Sequence, residues 1–353
     1  MTRKRIVWSV PWLNADPDYW HKKDDSFQDA LAALAVDHDV HVCTLHPTRR
    51  DIEIIRGVYY HFLAAPREGD VIPWGDWVGT VRRLDPDVIH YWGFSCPASR
   101  SLDYFLPDVP KTVYPVGSRI ISAAELAVVR TVFVTTPEDA ATLKERPCYR
   151  ALGPGAPDVV VCPFTPTETF QAKTYRGEVF DVIHVADWRP LKRHDLLIEA
   201  VRDTPWKAVL IGNRHDPAYH ERCRPVTFSG HSNHGAIYTS DRCSPAHLAS
   251  LYHDTKVAVQ LSSSEGGSRV VTEAMACGLP LIVCSDCRSN ADRIEDGVTG
   301  FVVDPTPKAI RRKIAELLVD APLREKIGRN AARHARSLPS MTDVFRHTTE
   351  ALL

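Results

Sequence analysis

The sequence of 353 residues contains no long hydrophobic run. A transmembrane helix needs about 20 consecutive apolar residues, and no segment approaches that length. The amino terminus imitates a signal peptide because basic residues precede the apolar residues 6–10, but Pro11 and Asn14 interrupt this apolar run. We therefore expect a first β-strand at this position, no transmembrane segment, and a cytoplasmic protein.

The sequence also lacks a charge excess and a disulfide framework. Lys and Arg number 43, Asp and Glu number 44, and the net charge is −1. A general nucleic-acid binder carries a basic excess, so no nucleic-acid partner is expected, while a peripheral membrane contact stays open. The nine cysteines are odd in number, and the CxxC of Cys284 and Cys287 has no second pair. Reduced thiols in a cytoplasmic protein are the simplest interpretation.

Motifs that would specify a metal or a bound cofactor are missing as well. The 16 histidines show no HExxH or comparable spacing. Neither a GxGxxG fingerprint nor a Walker loop is present. We therefore expect no metal site and no resident cofactor.

The order of predicted elements indicates the fold class. The length favours about two domains, and in both halves apolar strand patterns alternate with helical patterns. Such alternation predicts parallel sheets covered on both faces. Proline and glycine cluster in residues 146–180, which marks the crossover between domains. In the second half we predict, among other elements, a strand over residues 226–229.

The most informative segment is residues 262–280, SSSEGGSRVVTEAMACGLP. An apolar, β-rich run at residues 256–261 precedes it. A polar, glycine-containing turn follows, and then a helix is predicted over residues 268–277, ended by Gly278 and Pro280. The segment therefore predicts a strand, a loop and a helix in succession.

The loop and the start of the helix have the features of an anion site. Gly266 and Gly267 lack a Cβ, so a ligand can approach the backbone closely. The N–H groups of the next helical turn, which begins at Ser268 and Arg269, point toward the loop and favour negative charge. A phosphate group would fit there, and Arg269 could contact it, contact an anionic sugar, or pair with an acidic side chain.

Two carboxylates flank this anion site. Glu265 lies in the loop, and Glu273 follows eight positions later, in about the second turn of the predicted helix. Glu265 can therefore face a sugar beyond the phosphate, while Glu273 can accept hydrogen bonds from ribose hydroxyls. A solvated, charged helix face is the alternative for any two glutamates taken alone.

This ordered segment resembles the paired-glutamate signature of retaining glycosyltransferases of the family-four type, glycosyl transferases group 1. The resemblance continues at residues 285–286 and 296–301. It implies the α/β GT-B fold, with two Rossmann-like domains facing across a cleft. On this basis residues 1–165 form an acceptor-binding domain, residues 166–338 bind the nucleotide sugar, and residues 339–353 form a helix that crosses back to the first domain.

The same resemblance covers the segment at residues 185–200. Lys192 falls on the lysine that holds the donor diphosphate in the family, and Arg189 lies two residues beyond the usual position of an arginine. Fixed cations stabilise a departing diphosphate more strongly in the transition state than in the ground state. We expect Lys192 and Arg189 to act in this way; a solvated basic loop is the alternative.

The first domain matches the family less closely. Where many members carry a histidine beside the donor sugar, this chain has Val116. His90, at the end of a predicted strand, is our candidate for a catalytic replacement, with a structural histidine as the alternative. Trp12 could stack on a sugar face and Asp24 and Asp25 could accept hydroxyl hydrogen bonds from an acceptor; alternatively, Trp12 packs the loop onto its domain.

The sequence therefore predicts a metal-independent, retaining glycosyltransferase. The expected donor is a nucleotide diphosphate sugar, with UDP or GDP as its nucleotide. The acceptor is a hydroxyl of a small molecule or glycan, and a small soluble or specialised metabolite is preferred. Three alternatives stay open: a non-catalytic relative that binds nucleotide sugars, a nucleotide-sugar 2-epimerase, and a phosphorylase or synthase that uses a sugar phosphate.

Overall fold

The computed structural model describes residues 3–13, 26–46, 48–64, 74–93, 97–115, 122–175, 177–227, 237–240 and 243–353. The chain divides into two compact units. Unit 1 comprises Met1–Pro163 and Pro339–Leu353, and unit 2 comprises Phe164–Leu338. The limits expected from the sequence differ from these in the assignment of residues 164 and 165. Each unit has its own largely parallel sheet, which confirms the α/β class with two parallel-sheet domains.

Unit 1 is built on an eight-stranded sheet. Its strands are β1 (Arg5–Leu13), β2 (Asp39–Leu45), β3 (Ile52–Ile55), β4 (Val58–Leu63), β5 (Val88–Trp92), β6 (Lys111–Tyr114), β7 (Thr131–Val134) and β8 (Asp158–Val161). They are arranged in the order β3-β4-β2-β1-β5-β6-β7-β8, and every pairing is parallel except that of β3 with β4. Short runs of Val, Ile and aromatic residues favour these buried strands.

The helices of unit 1 cover this sheet. They are α1 (Ser26–Leu34), α2 (Gly75–Leu84), α3 (Pro97–Phe105), α4 (Ala123–Ala127), α5 (Pro137–Glu145), α6 (Pro147–Arg150) and, at the end of the chain, α14 (Met341–Leu352). Helix α14 packs against α1. Its buried Phe345 contacts the rings of Trp8 and Phe133, with centroids 4.8 and 5.1 Å away. The last helix is therefore part of the aromatic core of unit 1.

Unit 2 has a six-stranded parallel sheet. Its strands are β9 (Phe180–Val185), β10 (Ala208–Ile211), β11 (Ile237–Ser240), β12 (Thr255–Gln260), β13 (Leu281–Cys284) and β14 (Gly300–Val303). Its helices are α7 (His194–Val201), α8 (Pro217–Thr227), α9 (Pro245–His253), α10 (Arg269–Ala276), α11 (Arg288–Ala291), α12 (Pro307–Val319) and α13 (Ala321–Ser337). Among the described residues no helix is long and apolar enough to cross a membrane.

The order of strands in unit 2 defines a topological switch point. The sheet runs β11-β10-β9-β12-β13-β14. The chain builds outward from β9 through β10 and β11, and then returns to place β12 on the other side of β9. In open α/β sheets, ligands bind outside the carboxyl ends of the strands at such a point. The segments that follow β9 and β12 are therefore the expected walls of a ligand site.

One predicted strand of unit 2 is wrong. We expected a strand over residues 226–229, but Thr227 ends α8, which begins at Pro217. A proline in the first helical turn starts a helix favourably because its missing N–H has no helical partner at that position. Residues 228–229 and most of the segment 230–243 lie outside the described residues, although β11 lies within that segment.

Candidate active site

The two segments at the switch point of unit 2 carry the residues that the sequence selected. After β9 the chain passes through Arg189 into a 3₁₀ turn at Pro190–Lys192. After β12 it enters the loop that contains Glu265. The ammonium group of Lys192 lies 2.5 Å from Glu265 Oε1. The structure thus brings together two of the predicted catalytic side chains.

Glu265 is held through one of its two carboxylate oxygens. Oε1 accepts hydrogen bonds from Lys192 Nζ at 2.5 Å, from Ser262 Oγ at 2.6 Å and from Gln260 Nε2 at 3.3 Å. Oε2 makes no hydrogen bond to any residue that the structure describes. The side chain is 11% exposed. Glu265 is therefore an oriented carboxylate with one oxygen available to a ligand.

Backbone contacts join the loop to its neighbours. The N–H of Ser263 donates to the carbonyl of Leu191 at 2.9 Å, which ties the two walls of the site together. On the other side, Ser289 Oγ donates to the backbone carbonyl of Glu265 at 2.8 Å. The loop is consequently supported from both β9 and β13, and Glu265 does not depend on Lys192 alone.

The start of α10 forms the anion-binding part of the site. Gly266 and Gly267 connect Glu265 to this helix. Gly267 has a φ of 118°, a backbone conformation that residues other than glycine rarely adopt. Ser268 occupies the N-cap position but makes no side-chain capping hydrogen bond. The N–H groups in the first turn of α10, which begins at Arg269, therefore donate no capping hydrogen bond to the Ser268 hydroxyl and point out of the helix toward the loop.

Glu273 lies in the second turn of α10 and is 8% exposed. Burial, and to a smaller extent the negative charge of Glu273, raise the pKa of Tyr252 well above its usual value. The structure thus places Glu273 as a largely buried carboxylate on the helix that begins the anion-binding part of the site. Its role in binding ribose hydroxyls stays a prediction.

The basic residues after β9 differ in their environments. Arg189 is exposed and forms no ion pair with any residue in the described part of the chain. Arg193 has a left-handed backbone, with φ 55°, and its guanidinium forms two hydrogen bonds to Asp286, at 2.8 and 2.6 Å. This bidentate pair joins the Lys192 turn to the end of β13. Arg189 is thus a cation that a ligand can engage without breaking such a pair.

A buried histidine supports the backbone of Lys192. The two ring nitrogens of His184 lie 3.0 Å from the carbonyl of Val259 and 3.1 Å from the carbonyl of Lys192. Burial lowers the pKa of His184. His184 thereby connects β9, β12 and the turn that carries Lys192.

The structure does not support a catalytic role for His90, and this corrects our expectation. His90 is the middle residue of β5 and is fully buried. Its Nδ1 lies 2.5 Å from Thr112 Oγ1, and its Nε2 lies 3.1 Å from Thr349 Oγ1 on α14. The ring stacks on Trp8 with a centroid distance of 4.4 Å, and burial lowers the pKa of His90 to about 3. His90 is a neutral core histidine of unit 1.

The predicted acceptor residues fall outside the described parts of the structure. Asp24, Asp25 and Val116 are not among the described residues, and only the backbone of Trp12, within β1, is described. Their roles stay predictions.

The described cysteines form no disulfide bond. Eight cysteines are described, and all eight are free. Burial raises the pKa of Cys284 to about 12 and also raises the pKa of Cys287. The CxxC of the sequence therefore consists of two protonated, buried thiols.

Sequence reasoning missed the residues that support Glu265. Gln260 and Ser262 contact its carboxylate, and Ser289 contacts its backbone. One signal was present: Gln260 is an amide within an otherwise apolar strand, where a buried polar group needs a partner. The contact from Ser289 had no local signal because it joins loops on different strands.

Comparison with known proteins identifies the type of domain. Residues 167–334 match the family model of glycosyl transferases group 1. An uncharacterized glycosyltransferase from Methanocaldococcus jannaschii is 26% identical over 155 residues, 44% of this chain and 42% of that protein. The D-inositol 3-phosphate glycosyltransferase of Paenarthrobacter aurescens is 38% identical over 91 residues, 26% of this chain and 22% of that protein. The match thus spans less than half the length of these curated relatives.

Solved structures extend the likeness to the whole fold. Sucrose-phosphate synthase from Thermosynechococcus elongatus superimposes with a TM-score of 0.76 at 15% identity, covering 99% of this chain and 100% of that chain. Anabaena HepE in complex with UDP and glucose gives a TM-score of 0.72 at 15% identity, covering 99% of each chain. The chain therefore has the GT-B fold, and its residues 167–334 are similar to glycosyl transferases group 1.

Proposed function

We propose that this protein is a retaining glycosyltransferase that moves a sugar from a nucleotide diphosphate sugar to a hydroxyl acceptor. The observation that carries the proposal is the meeting of Lys192 and Glu265 at the switch point of unit 2, directly before the uncapped start of α10. A cation, a carboxylate and an array of N–H groups are the components that such a donor requires.

Each part of the donor has a matching part of the site. The diphosphate fits the start of α10 at Gly266 and Gly267, where Lys192 and the exposed Arg189 add positive charge. Farther along the helix, the buried Glu273 suits the ribose hydroxyls. The crystal structure of HepE contains UDP and glucose. UDP is therefore the first nucleotide to test and GDP the second.

The proposed chemistry needs no strong protein base. The acceptor oxygen attacks the anomeric carbon on the face from which the diphosphate leaves. The new carbon–oxygen bond forms as the bond to phosphate breaks, and the acceptor proton passes to a phosphate oxygen of the leaving group. Lys192 and Arg189 stabilise the charge that develops on the diphosphate. We therefore propose retention of configuration and activity without a divalent metal.

The acceptor is proposed to bind in unit 1, with Trp12, Asp24 and Asp25 as its contacts. We propose a small soluble molecule or a specialised metabolite as the acceptor and the cytoplasm as the location. The proposal rests on the near-neutral charge of the chain and its unremarkable hydropathy. A panel in which only a membrane lipid accepts sugar would contradict it.

The test combines turnover with stereochemistry. UDP- and GDP-sugars are incubated with the protein and an acceptor panel in the presence of EDTA, and the anomeric configuration of the product is determined by NMR. We expect transfer, or slow donor hydrolysis, with retained configuration. Nucleotide binding without turnover would instead identify a non-catalytic relative. Inversion of the configuration at C2 of the sugar would identify an epimerase.

A further inference from the structure

We infer that Gln260 and Ser262 are positioning residues that hold Glu265 in its working orientation when Lys192 engages the donor. This inference rests on the proposed function and adds two residues to the same site. Ser262 acts through the carboxylate of Glu265, and the amide of Gln260 contacts that carboxylate at 3.3 Å and Ser268 Oγ, at the N-cap of α10, at 3.4 Å.

The geometry separates the two oxygens of Glu265. All three donors, from Lys192, Ser262 and Gln260, contact Oε1. A carboxylate can only accept hydrogen bonds, so the amide nitrogen of Gln260 must be the atom that faces it. With Oε1 fixed at three points, rotation of the carboxylate is restricted and Oε2 is presented in one direction.

Lys192, one of the three hydrogen-bond donors to Glu265, also has to contact the diphosphate of the sugar donor. The proposed function requires Lys192 to share its charge with the donor diphosphate, which weakens its hold on Glu265. If Lys192 were the only anchor, the carboxylate would be free to follow it. Ser262 and Gln260 come from the β12 side of the site and keep their contacts, so they uncouple the position of Glu265 from that of Lys192.

The surroundings of Gln260 argue against a role in stability alone. Gln260 is 2% exposed, and its neighbour on the same face of β12, Ala258, packs into an apolar cluster with Tyr252 and Ala274. The Oε1 atom of Gln260 is buried and has no hydrogen-bond partner among the residues that the structure describes. An unpaired buried acceptor destabilises a fold, so packing alone would favour an apolar side chain at this position.

The first variant is Gln260→Met, which keeps the length of the side chain and removes the amide. We expect kcat to fall about tenfold, as loss of a positioning hydrogen bond implies. The Kd for UDP should stay within about twofold, and the melting temperature should be unchanged or higher because the orphan acceptor is gone. Ser262→Ala should also lower kcat. The matched control is Gln171→Met, an exposed glutamine elsewhere in unit 2.

A second variant keeps the inference testable if Gln260→Met folds poorly. Gln260→Glu places a carboxylate beside Glu265, and like charges disfavour ionisation of both groups. We expect the acidic limb of the kcat profile to move to higher pH, because the side chain at position 260 faces the carboxylate of Glu265; an unchanged profile would contradict that contact.

The outcomes distinguish this inference from the proposed function. If the wild-type protein binds UDP and turns over a donor, but folded Gln260→Met and Ser262→Ala both keep wild-type kcat, the two residues do not position Glu265 and the inference fails. If the wild-type protein neither binds nor turns over any nucleotide sugar, the proposed function fails, and the inference falls with it.

Discussion

The ammonium nitrogen of Lys192 and the carboxylate oxygen Oε1 of Glu265 are 2.5 Å apart, although the two residues are separated by 73 positions in the sequence. The strand order of unit 2 creates this contact, because β9 and β12 are neighbours in the sheet and their following loops meet. Both side chains are largely buried, at 18% and 11% exposure. Such a pair couples the cation expected at the diphosphate to the carboxylate expected at the sugar.

Substitution of Lys192 is expected to weaken donor binding. Lys192→Ala removes the cation that is paired with Glu265, and we expect the Kd for UDP to rise about tenfold or more, which corresponds to about 1.4 kcal/mol or more. Lys192→Arg should recover part of the affinity because it restores the charge. Calorimetric titration with UDP measures both. Lys207→Ala, at an exposed site of unit 2, is the control; an equal loss there would contradict the assignment.

Neutralisation of Glu265 is expected to affect turnover more than binding. Glu265→Gln keeps the size of the side chain and its acceptor oxygen, but removes the negative charge near the reacting sugar. We expect kcat to fall about a hundredfold, with the Kd for UDP changed by less than about threefold. Steady-state kinetics and titration separate the two parameters. A large rise in Kd with unchanged kcat would place Glu265 in nucleotide binding instead.

The close approach of β9 and β10 predicts an effect at Gly212. A Cβ at this position would lie 1.8 Å from the carbonyl oxygen of Ala186, which begins the segment that leads to Lys192. Gly212→Ala is expected to lower the stability of unit 2 by about 1–3 kcal/mol and to weaken UDP binding as well. Gly155→Ala, where nothing lies within 4 Å of the added atom, should leave both unchanged.

The buried His90 predicts a pH dependence of stability. Its pKa is about 3 in the folded protein, because of burial, against an ordinary value of 6.5. Above pH 6.5 the imidazole of His90 is neutral in both the folded and the unfolded protein, so pH does not change the stability through this residue. Between pH 6.5 and pH 3 only the unfolded state gains the proton, and stability falls by about 1.4 kcal/mol per pH unit.

Urea unfolding at pH 7, 6 and 5 checks this relation in the wild-type protein and in His90→Gln. The variant should be less stable at pH 7, because it loses the ring packing, yet its stability should depend less steeply on pH. Equal slopes for the two proteins would show that His90 does not carry the effect.

Local features of the site were predictable from the sequence, whereas contacts between distant segments were not. The strand, glycine loop and helix around Glu265 were expected over residues 256–277 and are found as β12 and α10. Their prediction depended on apolar periodicity and on glycine, which act over a few residues. The contact of Glu265 with Lys192, by contrast, depends on which strands are neighbours.

His90 shows the same limit in unit 1. A histidine near the end of a predicted strand resembles a site residue when only its own segment is considered. In the structure its ring stacks on Trp8 and contacts Thr349 on the last helix, 259 positions later. The wrong strand over residues 226–229 has a simpler cause, because the helix that begins at Pro217 extends to Thr227 over residues with little apolar periodicity.

The central claim is that unit 2 binds a nucleotide diphosphate at the start of α10. Calorimetric titration of the protein with UDP in the presence of EDTA, repeated with Glu273→Ala, tests it most directly. The account predicts saturable one-to-one binding by the wild-type protein and a loss of affinity of about tenfold in the variant, since one buried acceptor of hydroxyl hydrogen bonds is removed. Equal affinity in both proteins, or no binding of UDP, GDP, ADP or dTDP by either, would contradict it.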